Sequence, residues 1–134
     1  SYPGIPKIQA NIIQNKPFMV GDIEVVPIQV WHYKLPVFGY RIKDVAYITD
    51  ANRIDEAEKE KLKGLKVLVV NALRKEEHIS HFNLKQAIEL ATEIQPEQAF
   101  FTHMSHLMGK HADVEVELPP NISLAYDGLE ISIR

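Results

Sequence analysis

Ala99-Phe100-Phe101-Thr102-His103-Met104-Ser105-His106 passes from an apolar run to a polar, histidine-bearing turn with nothing between them. Ala99, Phe100 and Phe101 suit the inside of a sheet, and the change at Thr102 and His103 marks where a strand leaves it. An imidazole there faces a cleft at a strand end. His32, Asp50 and His81 read the same way, each lying past an apolar run. That shared position predicts the fold class as well as the site: strands whose ends carry the reactive groups, with helices between the later ones.

Upstream of this stretch, Lys66-Val-Leu-Val-Val-Asn71 is nearly continuous in apolar residues, as expected of a central strand buried on both faces. Residues 72–82 are polar and contain His78 and His81. Asn83 then caps a helix, with Gln86 three residues on as the return partner of a capping box. Leu84, Ala87, Ile88 and Ala91 recur at helical spacing until Gln95-Pro96 stops them. Downstream, residues 107–111 read as a short helix or loop. Beyond Pro119-Pro120, residues 122–126 and 129–133 read as a closing hairpin around Asp127-Gly128.

The earlier part of the chain is richer in strands. Residues 7–14 read as a strand ended by Lys16-Pro17. Residues 18–20 and 23–30 form a hairpin around Gly21-Asp22, whose second arm ends at Trp31-His32. After a loop at 33–36, residues 37–42 and 45–49 form another hairpin around Lys43-Asp44, ending at Asp50. Residues 54–65 are charged and helix-prone; Ile54, Ala57 and Leu62 are too sparse for a deep core face, so a surface helix closed by Gly64 is expected.

A chain of 134 residues, 46% hydrophobic and 25% charged, fits one soluble domain with a modest core. The absence of cysteine removes disulfides, thiolate metal sites and cysteine nucleophiles, so any metal must be held by His, Asp or Glu. A net charge of −3 argues against an extended nucleic-acid surface. No apolar run is long enough to span a bilayer, and the start has neither the basic residues nor the apolar core of a signal peptide, which makes the cytoplasm the default location. The chain starts in a Pro/Gly-rich turn without an initiator Met, and further residues upstream are therefore expected.

In an α/β sheet the strand ends on one edge border the ligand cleft, so His32, Asp50, His81 and His103 can converge although far apart in sequence. Neutral imidazoles with one shared carboxylate suit a pair of hard or borderline cations. Each residue also has a plainer reading. A single loop histidine usually just makes a local hydrogen bond, Asp50 can cap a turn, and His81 can serve as a capping residue before Asn83. His111 and Lys34 read as solvated, although Lys34 is placed to touch an anionic substrate. The charged run Glu56-Ala-Glu-Lys-Glu-Lys61 reads as a solvated helix face.

The phrases Pro27-Ile-Gln-Val-Trp-His32, Gly39-Tyr-Arg-Ile42, Ala46-Tyr-Ile-Thr-Asp50, His78-Ile-Ser-His81, Phe101-Thr-His-Met-Ser-His106 and Ala125-Tyr-Asp-Gly128 resemble the second half of a metallo-β-lactamase-fold hydrolase. The nearest group is the phosphonate-pathway cyclic phosphodiesterases and the tRNA 3′-processing endonucleases; the 22-residue interval from His81 to His103 fits it. The resemblance implies an α/β (α+β) fold, the C-terminal half of an αββα sandwich, with a mixed sheet and flanking helices. It implies a metal-dependent hydrolase, a phosphodiesterase using a hydroxide held by two divalent metal ions, zinc or manganese, on a small phosphodiester or ester. His32 then resembles a ligand of the first metal, Asp50 the bridging carboxylate and His103 a ligand of the second. His81 resembles the histidine that contacts the scissile phosphate or protonates the leaving oxygen, and His78 and His106 would orient their neighbours.

The family's His-x-His-x-Asp-His motif is absent from these 134 residues; the six histidines stand at 32, 78, 81, 103, 106 and 111. Residues 1–134 are therefore expected to be one partial domain, inactive alone, with no metal or partial occupancy. Its uncovered sheet face is expected to meet the missing N-terminal segment or a second copy in a homo-oligomer. The alternative is a complete, non-enzymatic interaction or structural domain without metal.

Overall fold

The computed structural model describes residues 4–133. Short turns fold the first part of it into a meander of antiparallel strands, β1 (Phe18–Val20), β2 (Ile23–His32), β3 (Leu35–Ile42) and β4 (Val45–Ile48). The later strands, β5 (Val67–Asn71), β6 (Gln98–Thr102) and β7 (Ile122–Leu124), add in parallel to give one seven-stranded mixed sheet in sequence order. Parallel neighbours need crossovers, supplied by three helices: α1 (Glu56–Lys59), running into a 3-10 turn at Glu60–Leu62; α2 (Leu84–Ile94); and α3 (His111–Glu115), preceded by a 3-10 turn at His106–Met108. This is the mixed α/β fold expected of the sequence, and none of the helices in the described residues is long and apolar enough to cross a membrane.

The pairing register puts Ala46, Leu68, Ala99 and Ile122 in one row and Ile48, Val70, Phe101 and Leu124 in the next, all nearly or fully buried. Helix α2 covers this face with Leu84, Ala87, Leu90 and Ala91. Its capping box forms as the sequence predicts, Asn83 accepting from Gln86 N while Gln86 accepts from Asn83 N. Strands β3 and β4 approach so closely that a Cβ on Gly39 would lie 2.9 Å from the Tyr47 carbonyl, which is why glycine stands there. The opposite face carries the row Tyr40, Tyr47, Val69 and Phe100, of which Tyr47 is 53% exposed.

Four local expectations need correction. Residues 7–14 form no strand; Ile8 and Ile12 are 90% and 92% exposed, so the apolar residues there have no buried face to order them. The loop at 33–36 shrinks to the turn Tyr33–Lys34, because Trp31 pairs with Pro36 and His32 with Leu35. The helix expected over 54–65 begins only at Glu56, since the Trp31–Arg53 bridge keeps the preceding backbone extended, and its Leu62 is fully buried in the core. The turn at Asp127-Gly128 forms, but residues 129–133 do not pair with β7: Ser132 and Ile133 instead line a cavity of about 360 Å³ with Val67 and Gln98. Ser1 to Pro3, part of the turn read at the start of the chain, lie outside the described residues.

Candidate functional site

Strands β2, β4, β5 and β6 all run in one direction, because β2 and β4 each lie antiparallel to β3 and the later pairs are parallel. Their C-terminal ends therefore share one rim. His32 ends β2, Asp50 lies two residues past β4, His81 sits in the loop between β5 and α2, and His103 directly follows β6. Backbone hydrogen bonds lace these loops together. Trp31 N donates to Arg53 O (2.9 Å) and Asn52 N to Trp31 O (2.8 Å), tying the end of β2 to the Asp50 loop. Phe82 N donates to Ala51 O (2.7 Å), bringing in the His81 loop, and Ser105 N donates to Leu73 O (2.8 Å), bringing in the His103 loop.

Two side chains in this lattice were read in the sequence only as parts of a strand and a loop. Asn71, fully buried at the end of β5, accepts from Ala51 N at 2.9 Å and donates through Nδ2 to Ala51 O at 2.8 Å, so it fixes the backbone immediately after Asp50. The available signal was an amide closing an otherwise apolar central strand, where a buried polar group requires partners. Ser80 stands between two histidines, its Oγ 3.0 Å from His81 Nδ1 and 3.2 Å from His78 Nδ1.

Asp50 and His103 both adopt left-handed backbone, with φ of 58° and 59°. That conformation is sparsely populated by non-glycine residues, although Asp and His tolerate it better than most. Here it turns both side chains toward His81. Asp50 Oδ1 lies 3.1 Å from His81 Nε2 and 3.5 Å from His103 Nε2. The His81 ring stacks on that of His103 at 4.9 Å between centroids and meets the His32 ring edge-on at 4.7 Å. One donor atom from each of His32, Asp50 and His81 falls within 4.8 Å of the others.

The four residues named from the sequence thus meet in one patch. His78 joins it at 5.3 Å from the His81 ring. His106 does not: it is exposed at the start of a 3-10 turn and makes no side-chain contact with these groups among the described residues. His111 faces Glu115 and Tyr126, and Lys34 lies over the Tyr33 ring at the tip of the β2–β3 turn.

Electrostatically, the patch separates a carboxylate from neutral imidazole. The hydrogen bond with His81, aided by the charges of His103, His81 and His32, holds the Asp50 carboxyl below its ordinary value against the opposing effect of burial. Burial pushes the His81 imidazole below its own, against its hydrogen bond to Asp50. His32 Nε2 is buried with no hydrogen-bond partner among the described residues, a costly state for a polar nitrogen. A divalent cation satisfies such an atom, and a carboxylate among imidazoles is a donor set suited to one, so the residues fit a metal.

Comparison with known proteins follows the same line. The beta-lactamase superfamily domain matches residues 3–104. An octanoyltransferase of Porphyromonas gingivalis (strain ATCC BAA-308 / W83) is 37% identical over 98% of this chain, which spans only 27% of that protein. Among solved structures, a diphosphatase of the PhnP family superposes with a TM-score of 0.88 at 31% identity, over 91% of this chain and 48% of its own. Zn(2+)-bound PqqB of Methylobacterium extorquens (TM-score 0.72, 17% identity, 91% of this chain and 55% of its own) and human tRNase Z, short form (0.68, 16%, 90% and 48%) share the fold. The chain therefore spans about a quarter of the curated relative and about half of these structures.

Proposed function

The chain belongs to the beta-lactamase superfamily, a family that binds divalent metals, and from that premise we propose that it carries part of the centre of a metal-dependent hydrolase. The substrate class is a phosphodiester, with a small ester as the wider class, and the name of the PhnP-family diphosphatase adds a diphosphate. The observation that carries the reading is the meeting of His32, Asp50, His81 and His103 on one rim, with His32 Nε2 buried and without a partner.

In this reading His32, Asp50 and His103 would hold the divalent cations. Bound divalent cations supply Lewis acidity and lower the pKa of water. His81 meets the scissile phosphate through its Nε2 proton and assists the departing oxygen, a role for a positioned imidazole. The laced loops hold these groups in place before substrate arrives, so little reorganisation is needed at the reaction.

One imidazole and a share of Asp50 are too few ligands for tight binding of either ion. The remaining ligands therefore come from outside this chain, in keeping with its 48% share of the diphosphatase. The same segment, or a second copy of the chain, packs on the open row Tyr40, Tyr47, Val69 and Phe100.

The test is hydrolysis of bis-p-nitrophenyl phosphate by the intact protein. Turnover should stop with chelator, return with zinc or manganese, and be lost in separate His81→Ala and His103→Ala variants. Unaltered rates in both variants overturn the roles, and no turnover in the metal-loaded protein leaves the fold as an interaction domain.

A further inference from the structure

The end of β2 is held along both of its edges. On one edge His32 pairs with Leu35 of β3 across the Tyr33–Lys34 turn. Along the other runs the loop that follows Asp50. Trp31 N donates there to Arg53 O at 2.9 Å, and Trp31 O accepts from Asn52 N at 2.8 Å. These bonds make the Trp31–Arg53 bridge, and the backbone pairing stops with them. A side chain then adds one more rung: Tyr33 N donates to Asn52 Oδ1 at 2.8 Å. Asn52 thus grips the backbone just before His32 with its N–H and just after His32 with its side-chain carbonyl. Tyr33 is held with φ of 59°, a sparsely populated conformation for an aromatic residue, and the bond helps to keep it there. Asn52 is also two positions past Asp50 and adjoins Ala51, whose N–H and C=O are both held by Asn71. A chain of amide contacts therefore runs from β5 through the Asp50 loop to β2, and Asn52 is the link that spaces His32 from Asp50.

We propose that Asn52 is a positioning residue for the metal centre: its side-chain carbonyl, by holding the Tyr33 N–H, keeps His32 at a fixed distance from Asp50, so that both side chains are arranged before a divalent cation arrives. The proposal rests on the reading of His32 and Asp50 as metal ligands and adds the residue that spaces them. The Tyr33–Asn52 bond is exposed, so water takes up the N–H when the side chain is removed and the fold loses little. Water does not restore the tie between the two segments. Groups that orient metal ligands commonly change affinity or activity 10–100-fold when removed. Asn52 acts through the backbone beside the imidazole, which places its effect at the lower end, about 10-fold.

The experiment titrates zinc into the intact protein against a chromophoric chelator, beside urea denaturation of the metal-free protein and hydrolysis of bis-p-nitrophenyl phosphate at limiting and at excess zinc. Asn52→Ala should bind zinc about 10-fold more weakly with its urea midpoint nearly unchanged, and its turnover should fall at limiting zinc and recover in excess. Asn52→Leu, similar in size but without an acceptor, should behave in the same way. Asn52→Asp, which keeps an acceptor at that position, should retain at least the wild-type affinity. Unchanged zinc affinity in the Ala and Leu variants overturns the proposal. So does a loss of affinity accompanied by a large fall in the urea midpoint, which would make Asn52 a fastening of the fold alone, and so does a loss in Asn52→Asp equal to that in Asn52→Ala. A wild type that binds neither zinc nor manganese overturns the metal reading and this inference with it, a result distinct from equal binding by wild type and variants.

Discussion

The two rims of the sheet are turned by the same left-handed backbone and filled with different side chains. On the rim away from the site, Gly21, Gly64, Lys43 and Gln95 have φ between 52° and 71°, and the two non-glycine residues are exposed. On the site rim, Tyr33, Asp50 and His103 have φ of 58–59°, and two of the three are the side chains that contact His81. A non-glycine residue in this region costs on the order of 1–2 kcal/mol. On the far rim that geometry only reverses the chain. On the near rim it aims a carboxylate and an imidazole at one point, and local strain there serves placement rather than stability.

The comparison breaks most readily at Asp50. Replacing it with Ala removes the acceptor shared by His81 and His103 and should lower hydrolysis by the intact protein on the order of 10³-fold or more, whereas Lys43→Ala should leave the rate unchanged. Comparable losses in both variants would mean that the near rim is not special.

Asn71 tests whether placement depends on the layer beneath. Asn71→Ala leaves the N–H of fully buried Ala51 without a partner and takes one of the two donors from its C=O, which keeps Phe82 N, and should lower stability to urea by about 1–3 kcal/mol. It should also reduce turnover, because the freed backbone carries Asp50. A variant destabilised this far with full activity would detach Asn71 from the site.

Much of this arrangement was readable before any coordinates. Strand β5, helix α2 and its capping box follow from an apolar run and a 3.6-residue period, signals that tertiary context rarely reverses. His32, Asp50 and His103 were legible because each stands just past an apolar run; His81 lies farther on, in the polar stretch 72–82, and its role follows from the family resemblance. What stayed hidden depends on neighbours distant in sequence. Residues 7–14 and 129–133 carry strand-like residues but pair with no strand among the described residues. Leu62 looked like part of a sparse surface helix until the fold laid it on the core. The role of Asn71 exists only through Ala51, 20 residues away. His106 was placed by pattern, and a 3-10 turn carries it away from the patch.

A smaller effect is expected at Glu58, which fastens α1 to β2 away from the rim that carries the histidines. Burial pushes its carboxyl up, but hydrogen bonds from Lys61, Asn15 and Gln29 N, with the Lys61 charge, outweigh that and hold it below the ordinary value. A carboxyl depressed on folding contributes stability above its unfolded pKa, about 4.3 for glutamate, and loses it as pH falls through the lower folded value. Glu58→Gln should therefore be less stable than the wild type at pH 7, and the two denaturation midpoints should converge below about pH 4. A gap that persists into acid would assign the effect to packing. Unchanged turnover in the variant at pH 7 would keep the function confined to the near rim.

The finest distinction comes from glycine itself. Lys43→Gly relieves left-handed strain of on the order of 1–2 kcal/mol but adds backbone freedom to the unfolded chain worth roughly 0.5–1 kcal/mol, which leaves a gain of at most about 1.5 kcal/mol. The hydrogen bond from Arg41 Nε to the Lys43 carbonyl is a backbone contact and survives the change. His103→Gly relieves the same strain and surrenders the contacts with Asp50 and His81, so its stability should rise by less. Thermal denaturation should place Lys43→Gly about 1–4 °C above the wild type, with activity intact. His103→Gly should melt near the wild-type temperature with hydrolysis lost. If instead His103→Gly melts far below the wild type, then His103 holds the fold together, and the left-handed turn at the near rim is a structural fastening like any other.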